Sequence, residues 1–299
     1  MEANYCLLPG RDVLRLSGAD VRTFLQALVT RDLDHLSPKN AVYGALLTPQ
    51  GKYLFDFFIA QQDDDLLLDV EAARRDELVK RLNMYRLRAD VTIERADNWQ
   101  VHAVFDGDIG LEQAVGAARA FGDGVAFVDP RLAAAGARIM APAGQADEIL
   151  GATGLIAGEA ADYDYVRLNL ALPDSGRDLV VDKSLMLESN LDALHGVDFD
   201  KGCFVGQELT ARTKYRALVR KRLLPVTIDG PVPVPNAPLM AGDKEIASMR
   251  SGQGDRGLAL VRLDRLAEAG GLGLSLTADG TTVTPAMPDW AEFPLQESE

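Results

Sequence analysis

The sequence predicts an α+β protein that ends in a small all-β module. Three observations carry this. Residues 5–105 alternate strand-like and helix-like segments in the rhythm strand–helix–strand–strand–helix–strand. Beyond residue 218 only short strand-like runs remain, separated by glycine-rich turns. At 299 residues the chain asks for two or three domains rather than one core.

Residues 5–16 read as extended, with Val13, Leu14 and Leu16 apolar. Ser17 is a suitable N-cap, with Asp20 at the third helical position. Val21, Phe24, Leu25, Leu28 and Val29 then recur at i, i+3, i+4, i+7 and i+8, one apolar helix face. Segments 41–48 and 53–60 are strands. Pro49-Gln50-Gly51-Lys52 joins them, proline presetting the turn and glycine accepting a positive φ. A third strand over 66–70 precedes a helix over 72–87, with Leu78, Val79, Leu82 and Tyr85 on one face; 91–94 and 99–105 return to strand. Helices on a mostly antiparallel sheet follow from that order.

A weaker second cycle puts helices over 111–120, 145–150 and 160–172, with strands over 125–128 and 138–141. Pro173-Asp174-Ser175-Gly176 is a loop, and 189–194 starts a short helix that Gly196 stops. Strands over 218–228, 241–251, 257–263, 272–277 and 282–286, with prolines stiffening 231–238, predict a small β-barrel or sandwich. The expected domains are residues 1–217, a barrel over 218–290 and an acidic tail over 291–299.

A net charge of −14 argues against a broad nucleic-acid-binding face, which needs a positive footprint. No apolar run is long enough to span a bilayer, and the first residues resemble neither a signal peptide nor an Arg-rich transit peptide. Cys6 and Cys203 lie 197 positions apart, so nothing pairs them, and two cysteines suit a reducing compartment. The expected location is therefore the cytoplasm. There is no C-x-x-C, and His35, His102 and His195 are scattered, so no self-contained metal or cluster site is expected.

Chemistry concentrates in Asp200-Lys201-Gly202-Cys203-Phe204-Val205-Gly206-Gln207-Glu208-Leu209-Thr210-Ala211-Arg212. A helix over 205–214 leaves Cys203 just before its N-terminus, with Lys201 two residues away; both positive influences would favour a thiolate. Cys203 is thus a reactive thiol or, as most free cysteines are, a small buried hydrophobe. Gly202 and Gly206 permit close backbone approach to a ligand. Glu208 and Arg212 share a helix face and suit an ordinary i,i+4 pair, while Gln207 reaches toward the cysteine loop. Arg212, Lys214, Arg216, Arg220, Lys221 and Arg222 put six cations in an 11-residue window without an acid. They form either a polyanion site or a solvated strand edge. Asp56, among Phe55, Phe57 and Phe58, is either outward-facing or a pocketed acid/base group.

Lys201-Gly202-Cys203-Phe204-x-Gly206-Gln207-Glu208-x-x-x-Arg212 closely resembles the motif of the YgfZ family of folate-binding proteins, whose mitochondrial members act in iron–sulfur cluster maturation. Leu16-Ser17-Gly18-Ala19-Asp20, Pro49-Gln50-Gly51-Lys52, Tyr85-Arg86-Leu87-Arg88-Ala89-Asp90-Val91 and Glu188-Ser189-Asn190-Leu191-Asp192 extend the resemblance along the chain. That family is similar to the aminomethyltransferase (T-protein) of the glycine cleavage system. The resemblance implies a three-domain ring, two interleaved ferredoxin-like α+β domains and a C-terminal β-barrel. It implies tetrahydrofolate as ligand, and partners among iron–sulfur assembly proteins and client iron–sulfur enzymes, including radical enzymes that modify tRNA. Cys203 and Lys201 become the reactive pair, and Gly202, Gly206, Gln207, Glu208, Arg212 and Asp56 the folate-facing set. Asn169 stands where the transferases carry Glu, which argues against aminomethyl transfer; a folate-dependent one-carbon transferase is the alternative.

Overall fold

The computed structural model describes residues 4–216 and 219–293. In chain order the elements are β1 (Tyr5–Leu7), β2 (Arg11–Ser17), α1 (Val21–Gln26), β3 (Val42–Leu47), β4 (Tyr53–Gln62), β5 (Asp65–Glu71), α2 (Arg75–Arg86), β6 (Thr92–Arg95) and β7 (Trp99–Val104). There follow β8 (Ala118–Phe121), β9 (Gly124–Val128), β10 (Ala137–Pro142), α3 (Gln145–Ala152), α4 (Ala160–Asn169), α5 (Ser175–Asp178) and α6 (Gln207–Arg216). The last are β11 (Lys221–Asp229), β12 (Pro238–Ala241), β13 (Lys244–Gln253), β14 (Arg256–Arg262), α7 (Leu263–Ala269), β15 (Leu276–Ala278) and β16 (Thr281–Pro285). The chain divides into two compact units: Met1–Pro49, Leu54–Tyr163 and Leu194–Gln207 form one, and Gln50–Tyr53, Asp164–Ala193 and Glu208–Glu299 the other.

The first unit contains two five-stranded sheets, β3-β4-β5-β2-β6 and β1-β7-β10-β9-β8. They interleave in sequence because β1 leaves its neighbour β2 and pairs antiparallel with β7, Cys6 opposite Ala103. One face of β4 (Phe55, Phe57, Ile59) packs with Leu14, Leu16 and Leu68 beneath Phe24 and Leu25 of α1 and Leu78 and Leu82 of α2. Phe58 points the other way and meets Tyr43 at 4.9 Å and Phe127 of the second sheet at 6.2 Å. That second face carries buried charge. Asp69 Oδ2 accepts from Arg138 Nη1 at 2.7 Å, and Asp69 Oδ1 from Arg11 Nε at 2.5 Å. Asp129 accepts from Arg131 at 2.8 Å, and the Arg138 guanidinium lies 3.9 Å from the Phe58 ring centroid. Burial works to raise the Asp129 pKa, but the Arg131 charge and hydrogen bonds bring it below the ordinary carboxylate value. The charges are tolerated here because each has an opposite partner.

In the second unit, β11-β14-β13-β12-β15-β16 close into a barrel filled by Leu224, Val226, Leu239, Ile246, Met249, Val261, Leu276 and Val283. Arg167 is buried beside it and bonds Asp178 at 2.9 Å and the Ser251 hydroxyl at 2.8 Å.

Several local expectations change. Ser17 ends strand β2 instead of capping a helix; α1 begins after Asp20, whose side chain makes no cap bond. Residues 111–120 are not helical. Gly110 and Gly116 take φ of 72° and 78°, and β8 pairs with β9 from Ala118 onward. The helix from residue 160 stops at Asn169, two residues before Ala171 adopts φ 55°. Residues 189–194 are turns, with Asn190 at φ 62°. Helix α7 interrupts the late strands, and the last strands begin at Leu276 and Thr281. The expected boundary at 217/218 and residues 294–299 of the expected tail lie outside the described residues.

Three stability predictions follow from these contacts. Asp69→Asn leaves Arg11 and Arg138 short of a counter-charge and lowers unfolding free energy by about 3–5 kcal/mol in urea titration; a loss under about 1 kcal/mol contradicts the pairing account. Leu87 sits at φ 46° with its side chain 87% exposed. Leu87→Gly therefore raises stability by ~0.5–1 kcal/mol, and a loss there would show a hidden contact. His102 is 1% exposed, its ring nitrogens lack hydrogen bonds, and its nearest acid, Asp147, is 3.5 Å away. Burial lowers its pKa below the ordinary 6.5. The unfolded chain takes up this proton first as pH falls, so stability drops below about pH 6.5. His102→Asn should flatten that slope; His195, also lowered by burial, contributes the same sign.

Candidate functional site

Residues 194–207 form a loop tied to the end of α1. Thr30 Oγ1 donates to the Gly196 carbonyl at 2.6 Å and accepts the Ala45 N–H at 2.8 Å. Asp198 accepts from Arg31 Nη1 at 2.9 Å and from the Asp32 N–H at 2.7 Å. Its own N–H donates to the Thr30 carbonyl at 2.9 Å.

Lys201 completes the attachment. Its ammonium donates to the carbonyls of Gln26 (2.9 Å), Val29 (2.6 Å) and Arg31 (2.9 Å). The Gln26 carbonyl ends α1 and those of Val29 and Arg31 lie in the chain just after it, and a three-donor cation serves all three. The residue is 6% exposed, and burial pulls its pKa down to about 8 against the opposing pull of Asp32, Asp198 and Asp34. The Nζ also lies 5.4 Å from the Phe204 ring centroid.

Phe204 is buried, and Val205 packs on the core that α1 covers. Between these anchors Gly202 and Cys203 are exposed. Gly206 takes φ 85°, which ends the loop and delays α6 to Gln207. A helix starting at residue 205 is thereby excluded, and Cys203 stands four positions upstream of the helix. Gln207 Nε2 reaches back to the Lys201 carbonyl at 3.4 Å. A Cβ at Gly202 would meet no atom within 4 Å, so the chain is open at that point. The other thiol, Cys6, is 1% exposed, and burial pushes its pKa up to about 11. Cys203 is thus the accessible thiol, and the buried-hydrophobe alternative is excluded.

The expected groups separate. Lys201 spends its donors on backbone carbonyls and positions the loop. Glu208 and Arg212 are exposed, and among the described residues they form no ion pair. Arg222 leaves the basic window: it is buried, donates to both Asp192 oxygens (2.6 and 3.1 Å) and to the Leu187 carbonyl (2.6 Å), and stacks on Phe293. Arg212, Lys214 and Arg220 stay exposed. Asp56 is 5% exposed and accepts the Tyr43 hydroxyl at 2.8 Å, which excludes the outward-facing alternative. Asn169 accepts from Arg256 Nε at 2.8 Å and donates to the Tyr165 carbonyl at 2.9 Å.

Thr30 and Asp198 were not legible as site residues, since their partners lie some 166 positions away. Among the described residues no group of three His, Cys, Asp or Glu side chains is placed to hold a metal ion. No helix among them is long and apolar enough to cross a membrane.

The chain has an aminomethyltransferase-like fold. It superposes on the glycine cleavage system aminomethyltransferase T of Bartonella henselae with TM-score 0.76, covering 97% of this chain and 87% of that one at 14% identity. Residues 220–293 match the family model described as CAF17, C-terminal beta-barrel domain. The mitochondrial iron–sulfur cluster assembly factor IBA57 of Homo sapiens is 34% identical over 95% of this chain and 84% of its own length. Its Mus musculus counterpart is 32% identical over the same shares. The chain belongs to the IBA57 family of iron–sulfur cluster assembly factors. These relatives are mitochondrial by name, which overturns the expectation of a cytoplasmic location.

Lys201→Met tests the positioning role. Three carbonyls lose a charged donor, so stability falls by on the order of 3 kcal/mol and the loop at residue 203 becomes protease-sensitive. Unchanged stability with slower alkylation of Cys203 would instead make Lys201 an electrostatic partner of the thiol.

Proposed function

We propose that this protein supports assembly or repair of iron–sulfur clusters in client enzymes, with Cys203 as the thiolate it contributes. The observation that carries the proposal is the exposed Cys203 on a loop anchored by the buried Lys201 ammonium. A cluster takes about four thiolate ligands, and this chain offers one, so the cluster is cargo shared with a partner. In the exchange step Cys203 gives up its proton, its sulfur bonds iron, and one donor thiolate leaves and takes a proton. The YgfZ-like motif extends the clients to radical enzymes that modify tRNA.

Tetrahydrofolate is the ligand we assign to the same protein. The exposed cations Arg212 and Arg220 suit its glutamate tail, and Asp56 enters the set through the family resemblance alone. Gly202, Gly206, Gln207 and Glu208 complete the folate-facing set carried by the motif. One-carbon transfer is the second reading, with Asp56 as its acid/base group, and it is disfavoured by Asn169. A neutral amide engaged by Arg256 stands where the transferases carry a carboxylate.

A deletion strain rescued by wild type and by Cys203→Ala provides the test. The variant should fold normally, since the side chain is exposed, yet leave iron–sulfur enzyme activities at the deletion level. Full rescue by Cys203→Ala would remove the thiol from the mechanism. Calorimetry with tetrahydrofolate should show binding that Arg212→Ala weakens about tenfold, or ~1.4 kcal/mol. No binding to the wild type would sink the folate assignment, and turnover of methylated amines would favour the transferase.

A further inference from the structure

The outer surface of the barrel has a cleft of about 280 Å³ lined by Lys221, Ser248, Arg250, Arg262, Arg265 and Glu245. Four cations meeting in one cleft is unusual in a chain of net charge −14. Lys221 of β11 and Arg262 of β14 are direct cross-strand partners. Like charges placed opposite one another destabilise a sheet. All four cations are half-buried, so water screens their repulsion less than on an open face.

Internal pairing does not use up their donors. Arg262 is held by Asp264 through Nε (3.3 Å) and Nη2 (2.8 Å), which leaves Nη1. Arg265 donates one Nη1 bond to the Glu245 carbonyl at 2.6 Å. Arg250 directs Nη1 to Asn236 Oδ1, to Ser248 Oγ (3.4 Å) and to the Met249 carbonyl (3.5 Å). Its Nε and Nη2 have no partner among the described residues, and burial lowers its pKa. Lys221 has neither a hydrogen-bond nor an ion-pair partner for its side chain among the described residues. The acids that act on these cations are Glu245, exposed on the rim, Asp264, already on Arg262, Glu268 toward Arg262, and Asp178 and Glu188 toward Arg250; among the described residues none of them bonds Arg250 or Lys221.

We propose that this cleft binds a compact multivalent oxyanion, held by Lys221 and the free edge of Arg250 with Ser248, Arg262 and Arg265 around it. Guanidinium forks match phosphoryl and carboxylate oxygens alike. The volume sits at the small end of ligand sites, which suits a diphosphate or a tricarboxylate and excludes a polymer's length. The proposal stands on the barrel alone and does not depend on folate or on Cys203.

Isothermal titration of the full chain with pyrophosphate and, separately, citrate decides it. One saturable site is expected for at least one of them. Selective pyrophosphate binding identifies a phosphoryl ligand, and selective citrate binding a polycarboxylate. Lys221→Gln and Arg250→Gln should each weaken binding at least tenfold, while Lys244→Gln, whose side chain faces Glu268 outside the cleft, should not. If Arg250→Gln lowers the melting temperature of the free protein, Lys221→Gln carries the comparison by itself, because its side chain makes no hydrogen bond or ion pair among the described residues. No saturable binding of either anion, or equal weakening in Lys244→Gln, overturns the proposal.

Discussion

The geometry of the motif depends on one buried ammonium. Lys201 needs acceptors because a desolvated cation without them is costly. The end of α1 and the chain just after it have carbonyls that need donors. Each requirement answers the other, through contacts that span some 170 positions of sequence. Phe204 is buried and Val205 packs on the core, while Gly202 and Cys203 between these anchors and Lys201 are exposed. Cys203 is exposed as a consequence of that attachment. Gly206, at φ 85°, then lets the chain turn before α6 begins.

The same rule, that a buried charge persists only when paired, organises the layer between the two sheets. Asp69 receives two arginines, Asp129 holds Arg131, and Arg138 lies over Phe58. Arg222 repeats the pattern in the second unit, where Asp192 neutralises it. What separates these arginines from Lys221 and Arg250 is that the latter keep unused donors facing an open cleft.

Local pattern was enough to read the elements whose signal is periodic. The hairpin through Pro49 and Gly51, the Leu78/Leu82 face of α2 and the presence of a closing all-β module are all visible in the residues. Failures fall where backbone conformation overrides pattern: residues 111–120 contain apolar positions at helical spacing, but Gly110 and Gly116 adopt left-handed φ. The motif itself was legible, and its internal wiring was not. Lys201 next to Cys203 in sequence suggested mutual electrostatics, whereas the side chain turns inward to carbonyls that no local spacing reveals. Thr30 and Asp198 stayed hidden for the same reason, as did the loss of Arg222 to Asp192.

The chain has one accessible thiol, Cys203, and one buried thiol, Cys6. The proposed function puts Cys203 at the point where protein and cargo meet, so its alkylation is the most direct measure. The protein is incubated with a glutathione-ligated [2Fe–2S] complex, treated with iodoacetamide and analysed by mass spectrometry, with Cys6 as the buried control. The account predicts that Cys203 is alkylated in the free protein and protected when the cluster complex is present. Equal alkylation of Cys203 with and without the cluster would contradict it.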